Sequence, residues 1–595
     1  MNNVKKYTFV FILLGQIQIC QSSVFNQTKT GIPLHWGSGH TTVDLYVNSQ
    51  NTQSLAEESV QSIAGASIEA WNGHSKIILR KNSTEGKNQE DLNELYFSKD
   101  PDIFNGTGVI GITQVSFKDN DGKILGGDVL INDNYSFSTR ETDQSYLGNV
   151  ITHEIGHFLG LGHGQVLGSA MFYAITRGQY IPKDDDKSGL YSLYPNGDVA
   201  KGTLTGTIIG GRKHIGVFGA HVQAISIKTG KVMGATISEV SGKFKISGLP
   251  INDQFIIYTS PVKQMGIPSN YAGAKSDYCE SSKKYRGSFF QSCGSRSEGF
   301  PEAVSLNSST VDIGKITIRC SVDSPPEYFQ DKGITPSEFD VFSYANLGLG
   351  GSFVGSFLSS ELKDGSRNDY FRMNLSNVSN WDSISNSNAL YLELKILNQA
   401  FYSPFKANVT VKRLSGTSDA LPKYTQEEDG WLSLESIVHI PINRSNSSDN
   451  DFEVVINAED MQRSIPSGIP SSLEDYFPSF SEFKDDLYFY LVMATIVKKN
   501  DDQSFTHVAS RIDNLSDNSL CPDAINTYAL TNYSVQKTSS SSSTMTDSER
   551  KKVAGCGSVE INDGGASGGG PMSLMVGLLM SFILYYGLSR YSKLT

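Results

Sequence analysis

Histidine, cysteine and charge are all scarce in this chain, and each scarcity excludes something. Of 595 residues ten are histidine and six are cysteine. No cysteine lies between Cys20 and Cys279, so a metal site in that stretch has to be built on nitrogen or oxygen ligands. Charged residues make up 19 % of the chain, and the net charge of −12 comes from acidic residues that are spread out rather than clustered. That balance argues against nucleic-acid binding, which wants a basic face. Apolar runs that bear on a membrane occur only at the two ends. Length alone allows about four domains as a loose prior, and the Asn-, Ser- and Gly-rich composition is that of many secreted β-rich proteins. Sequons such as Asn82-Ser83-Thr84 recur, but at this Asn and Ser content most arise by chance and carry no inference.

Against that background three of the ten histidines fall within eleven residues, His153-Glu154-Ile155-Gly156-His157-Phe158-Leu159-Gly160-Leu161-Gly162-His163. His153 and His157 are four apart, so on a helix they project from one face and can grip one ion. Glu154 sits beside the first of them, where a carboxylate can take a proton from an attacking water. Gly160 can adopt the left-handed conformation that stops a helix and turns the chain. That turn returns His163 as a third nitrogen ligand and leaves one tetrahedral position of a zinc ion open. The bland alternative is a helix with satisfied histidines. Chance assembly of the five fixed positions is on the order of one in a hundred thousand, so the zinc reading is preferred.

At these residues the chain resembles the metzincin metallopeptidases, whose signature is H-E-x-x-H-x-x-G-x-x-H followed by a methionine turn. Ser169-Ala170-Met171-Phe172-Tyr173 matches that turn, and the resemblance implies that Met171 forms an apolar floor beneath the zinc. Within the metzincins the chain is most similar to matrixins. Asn149-Val150-Ile151-Thr152 leads into the motif, and Asp184-Asp185-Asp186-Lys187-Ser188-Gly189-Leu190-Tyr191-Ser192-Leu193-Tyr194 resembles the helix that closes matrixin catalytic domains. Gly126-Gly127-Asp128-Val129-Leu130-Ile131-Asn132 resembles the edge strand beside the substrate cleft. The resemblance spans about 31–196 and implies an α+β catalytic domain, a catalytic zinc and a protein or peptide substrate. It is incomplete in three respects. Leu130-Ile131-Asn132 stands where matrixins carry the histidine of a structural zinc, and calcium sites likewise find no support. The methionine turn lacks the following proline and instead carries Tyr173, the position of the zinc-facing tyrosine of astacins and serralysins. A transition-state donor and ordinary aromatic packing are both open for it. No propeptide with a cysteine switch precedes the domain.

Local patterns upstream fit the same domain. Thr41 to Val47 alternates as a strand, and Leu55 to Trp71 has helical periodicity with Val60, Ile63, Ala64, Ile68 and Trp71 on one face. Lys76 to Leu79 reads as the next strand. Beyond the catalytic domain, 202–322 holds short strands punctuated by Gly and Pro. It resembles the carboxypeptidase regulatory-like β-sandwich, with an insertion from Val262 to Glu302. Residues 325–530 read as a larger β-rich accessory domain, a second β-sandwich in which no side-chain cluster singles out a site.

The ends of the chain read as targeting segments. Residues 1–22 have the form of a secretory signal, with Lys5 and Lys6 before an apolar core and cleavage expected near Ser22. Five cysteines then remain. Cys279 with Cys293 and Cys320 with Cys521 are plausible pairs in an oxidising compartment, which leaves Cys556 over. Residues 536–570 form a Ser/Gly-rich linker expected to stay flexible. Residues 572–588 are an apolar run followed by Arg590 and Lys593, near the lower limit for a bilayer span. They resemble bacterial sorting signals of the glycine-glycine type, with Cys556 as the processing or lipid-attachment residue. A plain membrane stalk is the equal alternative. The sequence thus describes an exported or surface-anchored zinc endopeptidase: an α+β zincin-like domain, two β-sandwich domains and a C-terminal membrane or sorting segment. The rival is a surface adhesin in which the zinc domain is vestigial. Substrate preference, oligomeric state and organism do not follow from the sequence.

Overall fold

The computed structural model of the chain describes residues 24–262 apart from short breaks, 278, 285–290, 303–320, segments between 351 and 507, and 555–560. The signal-like residues 1–22, Cys279, Cys293, Cys521 and the apolar run 572–588 lie outside the described residues. Among the described residues no helix is long and apolar enough to cross a membrane.

The first unit runs through strands β1 (Thr42–Val47), β2 (Ile78–Ser83), β3 (Glu94–Ser98), β4 (Val109–Phe117) and β5 (Ile124–Asn132), and helices α1 (Glu57–Glu69), α2 (Leu147–Phe158) and α3 (Asp184–Leu193). The strands order as β2-β1-β3-β5-β4. All neighbours are parallel except β4, which runs antiparallel to β5. β5, which carries Gly126-Gly127-Asp128, therefore lies inside the sheet between β3 and β4. The expectation that it forms the edge is corrected: β4 precedes it in the chain but lies outside it in the sheet.

α1 begins with Glu57 and Glu58 in its first turn, where carboxylates favour the positive end of the helix dipole. Its expected apolar face is buried, and Val60, Ile63, Ala64, Ile68 and Trp71 meet Ile151, Ile155 and Phe158 of α2 in one core. On the other side α2 faces Leu45, Leu95, Val129 and Ile131 of the sheet, which belong to the same cluster. Every residue of α2 is buried, so the helix that carries the histidine motif is an interior element held between α1 and the sheet.

A second unit begins at β6 (Lys201–Gly210) and continues through β7 (Ile215–Gly216), β8 (Ala220–Ser226), β9 (Val232–Ile237), β10 (Lys243–Pro250) and β11 (Gln254–Pro261). β10, β6 and the strand Thr310–Thr317 form one sheet, with β7 beside β6. β11, β8 and β9 form another with Ser288–Phe289 and Ala303–Ser305. Leu204, Ile208, Phe244, Ile246 and Ile316 of the first sheet share a core with Val222, Ala224, Phe255 and Ile257 of the second. Cys320 lies on a short strand paired with Tyr285–Arg286. Two further antiparallel sheets occupy the described segments between 351 and 507, one around Leu487–Lys499 and one around Asp451–Asp460. Within 536–570, expected to be linker, Gly555–Glu560 forms a strand that pairs in parallel with the outer edge of β4. Its partner is more than four hundred residues away, so local composition gave no sign of it.

Candidate metal centre

α2 ends one residue after the second motif histidine. Leu159 keeps right-handed helical angles and Gly160 follows at φ +98°. The Gly160 N–H donates to the His157 carbonyl and the Leu161 N–H to that of Gly156, both at 2.9 Å. These are the two bonds of a Schellman ending. A side chain at Gly160 is excluded twice over, by the positive φ and by the Leu34 carbonyl oxygen, 2.2 Å from where a Cβ would stand. The last carbonyls of α2 are also satisfied from outside. Trp36 Nε1 donates to Phe158 O at 2.7 Å and the Tyr194 hydroxyl to Leu159 O at 2.7 Å.

The turn brings His163 back to the other two rings. Ring centres of His153 and His157 are 4.7 Å apart, His157 and His163 4.8 Å, and His153 and His163 5.2 Å. One ligand atom from each lies within 4.8 Å of those from the others. His153 Nδ1 donates to the Ala170 carbonyl at 2.6 Å and His157 Nδ1 to the Leu161 carbonyl at 2.8 Å. With Nδ1 protonated, the Nε2 lone pair is left as the ligand atom. The Nε2 atoms of all three histidines are buried and make no hydrogen bond. Loss of hydration holds all three imidazoles below the usual histidine range, His157 at about 4. Three neutral imidazoles with converging, unpaired nitrogens fit a divalent cation of the zinc type.

Glu154, which follows His153 on α2, is fully buried. The Thr113 hydroxyl of β4 donates to its Oε2 at 2.7 Å. Across from it Gly111 leaves space: a Cβ there would stand 2.7 Å from Glu154 Oε1. β4 thus supplies both the donor that orients the carboxylate and the gap that admits it. Neither residue was singled out by the sequence, because strand alternation gives no sign of which helix a strand faces.

Met171 is buried against α2. A Cβ on Gly156 would lie 2.1 Å from Met171 Sδ and 3.1 Å from the Trp71 ring. Trp71 Nε1 also donates to the Thr152 carbonyl. The methionine turn is fixed by Asp186, whose carboxylate accepts the Ala170 N–H at 2.8 Å, the Met171 N–H at 3.0 Å and the Lys183 N–H at 2.7 Å. The sequence placed Asp186 in the closing helix without assigning it this work. Tyr173 is buried, with its ring 5.0 Å from that of Phe172. Cys556 belongs to the strand on the β4 edge, beside Val109 to Ile112, and not to the histidine cluster.

Residues 35–195, well under half of the chain, match the family model of the matrixin peptidases. The family implies a catalytic zinc, and the cluster of His153, His157 and His163 fits that ion. This stretch of the chain is therefore a matrixin-like metzincin catalytic domain, that of a zinc metallopeptidase.

Proposed function

We propose that the chain is an endopeptidase in which His153, His157 and His163 hold the zinc and Glu154 is the general base. The observation that carries this is the cluster of three unpaired imidazole nitrogens, with the buried Glu154 carboxylate next to His153 in the chain and held by the Thr113 hydroxyl. Zinc, when bound, polarises the scissile carbonyl and lowers the pKa of the attacking water. Glu154 accepts the proton of that water and returns it to the leaving amine. The Thr113 hydroxyl donates to one carboxylate oxygen and so fixes the orientation of the group. Nδ1 of His153 and of His157 donate to backbone carbonyls, which fixes both rings without spending their Nε2 lone pairs. Met171, packed against α2 at Gly156, is the apolar floor that the resemblance implies beneath the ion. Tyr173 is the candidate hydrogen-bond donor to the oxyanion.

Export and a surface location rest on the signal-like residues 1–22 and the apolar run 572–588. Protein or unfolded polypeptide is the substrate class. Full-length Glu154→Ala retains zinc and loses nearly all cleavage of an unfolded protein such as casein, whereas His157→Ala loses the metal. Full activity in the Glu154 variant refutes the mechanism. Zinc-bound wild type without any cleavage would instead favour the adhesin reading.

A further inference from the structure

The two-sheet unit is docked onto the zinc domain at two segments that brace the site, α3 and the stretch around Val24. α3 packs against β9 and β10. The Ser188 hydroxyl donates to the Ser247 carbonyl at 2.5 Å. Gly248, at φ +75°, lies so close to α3 that a Cβ would stand 2.7 Å from the Ser188 carbonyl oxygen, and a Cβ on Gly234 would stand 2.8 Å from the Ser188 hydroxyl. The Ala235 N–H of β9 donates to the buried Asp185 carboxylate. The next residue, Asp186, holds the N–H groups of Ala170 and Met171, and the Ala170 carbonyl holds His153 Nδ1.

A second connection runs through Val24. Its side chain packs with Ile237 of β9 and Val262 in a buried cluster. Its carbonyl accepts the Gly162 N–H at 2.9 Å, and the Asn26 N–H donates to the Gly160 carbonyl at 3.0 Å. That pairing fixes the loop that returns His163. Both ends of the ligand set are therefore tied by short chains of contacts to one edge of the second unit.

We propose that the two-sheet unit is a positioning element of the zinc site, and that its docking sets the geometry of His153 through Gly248, Gly234 and Ala235 on α3 and that of His163 through Ile237 and Val262 on Val24. The proposal rests on the zinc reading of the histidine cluster. A catalytic unit of this kind does not end at Pro195 but includes β9 and β10. Groups that orient metal ligands from behind commonly change metal affinity by about 10–100-fold when lost.

The test is made on the full-length chain. Gly248→Ala forces a Cβ against the Ser188 backbone, and Ile316→Ala opens the core of the second unit on the strand farthest from β10. Chelator competition should show zinc binding about 10-fold weaker in Gly248→Ala and within twofold of wild type in Ile316→Ala, although both unfold at lower temperature. Hydrogen exchange of the metal-free proteins should rise at Gly160–Gly164 and Ala170–Met171 in Gly248→Ala only. Unchanged zinc affinity and unchanged exchange at those amides in Gly248→Ala overturn the proposal, as does equal weakening in Ile316→Ala. If Gly248→Ala does not fold, Ser188→Ala removes one docking hydrogen bond without adding an atom. It should weaken zinc about two- to threefold, and no change there overturns the proposal. A wild-type chain that takes up no zinc would count against the zinc reading instead, and the exchange comparison would still decide the docking.

Discussion

Gly156 lies in mid-helix, where alanine is normally favoured by up to about 1 kcal/mol. The structure reverses that preference. An added Cβ would stand 2.1 Å from Met171 Sδ, more than an ångström inside ordinary contact, and 3.1 Å from the Trp71 ring. Both neighbours are buried, so neither can swing into solvent. Overpacking of this kind costs about 1–3 kcal/mol; less the propensity gain, Gly156→Ala should lose up to about 2 kcal/mol. For a unit of this size that is a fall of up to about 8 °C in the unfolding midpoint. Met171→Ala alone leaves a cavity and should cost about 2–5 kcal/mol. The two changes share one space, so the double variant should be more stable than their sum by at least about 1 kcal/mol. Thermal unfolding of the four proteins measures that coupling directly. Strict additivity would mean that Met171 does not lie against Gly156, and the apolar floor of the site would have to be redrawn.

Other predictions bear on the turn, the base and the sheet edge. Gly160→Ala pays about 1–2 kcal/mol for the left-handed backbone alone, before the Leu34 carbonyl moves; zinc binding should weaken with stability, and a variant as stable as wild type refutes the role given to this turn. Thr113→Val removes a buried hydrogen bond to a carboxylate, worth about 1.5–3 kcal/mol; kcat should fall about 10–100-fold with zinc affinity unchanged, and an unaltered kcat would show that Glu154 needs no such partner. The outer edge of β4 is occupied by Gly555–Glu560, and extended peptides bind by adding to such edges. Deleting 555–560 should therefore raise the cleavage rate of the full chain on unfolded protein, and equal rates would show that substrate does not use that edge.

The histidine cluster was legible because its geometry is local. Three histidines within eleven residues need only a helix and one glycine turn to converge, and both are written in the same stretch. The amphipathic face of α1 and the closing helix α3 were legible for the same reason. What the sequence hid depends on pairing at a distance. β3, β4 and β5 follow one another in the chain, yet β5 inserts between the other two. No local pattern distinguishes that order from a simple succession, so the sequence reads the glycine-rich strand as the edge and gives no sign that Thr113 and Gly111 lie on the strand that does face Glu154. The contact between Ser188 and Ser247 spans 59 residues and two differently folded units, and each side reads as an ordinary surface polar residue.

The two motif glycines put the boundary between local and distant causes inside a single helix turn. Gly160 announces itself, because a glycine after a helical run marks a left-handed ending whatever surrounds it, and its φ of +98° agrees. Gly156 gives no such sign: its backbone is helical, and alanine would suit it in isolation. Its reason is Met171, fifteen residues later, which must approach α2 more closely than any Cβ permits. One glycine is required by the path of its own backbone and the other by a side chain elsewhere. Only the first kind of requirement can be read without knowing what packs against what.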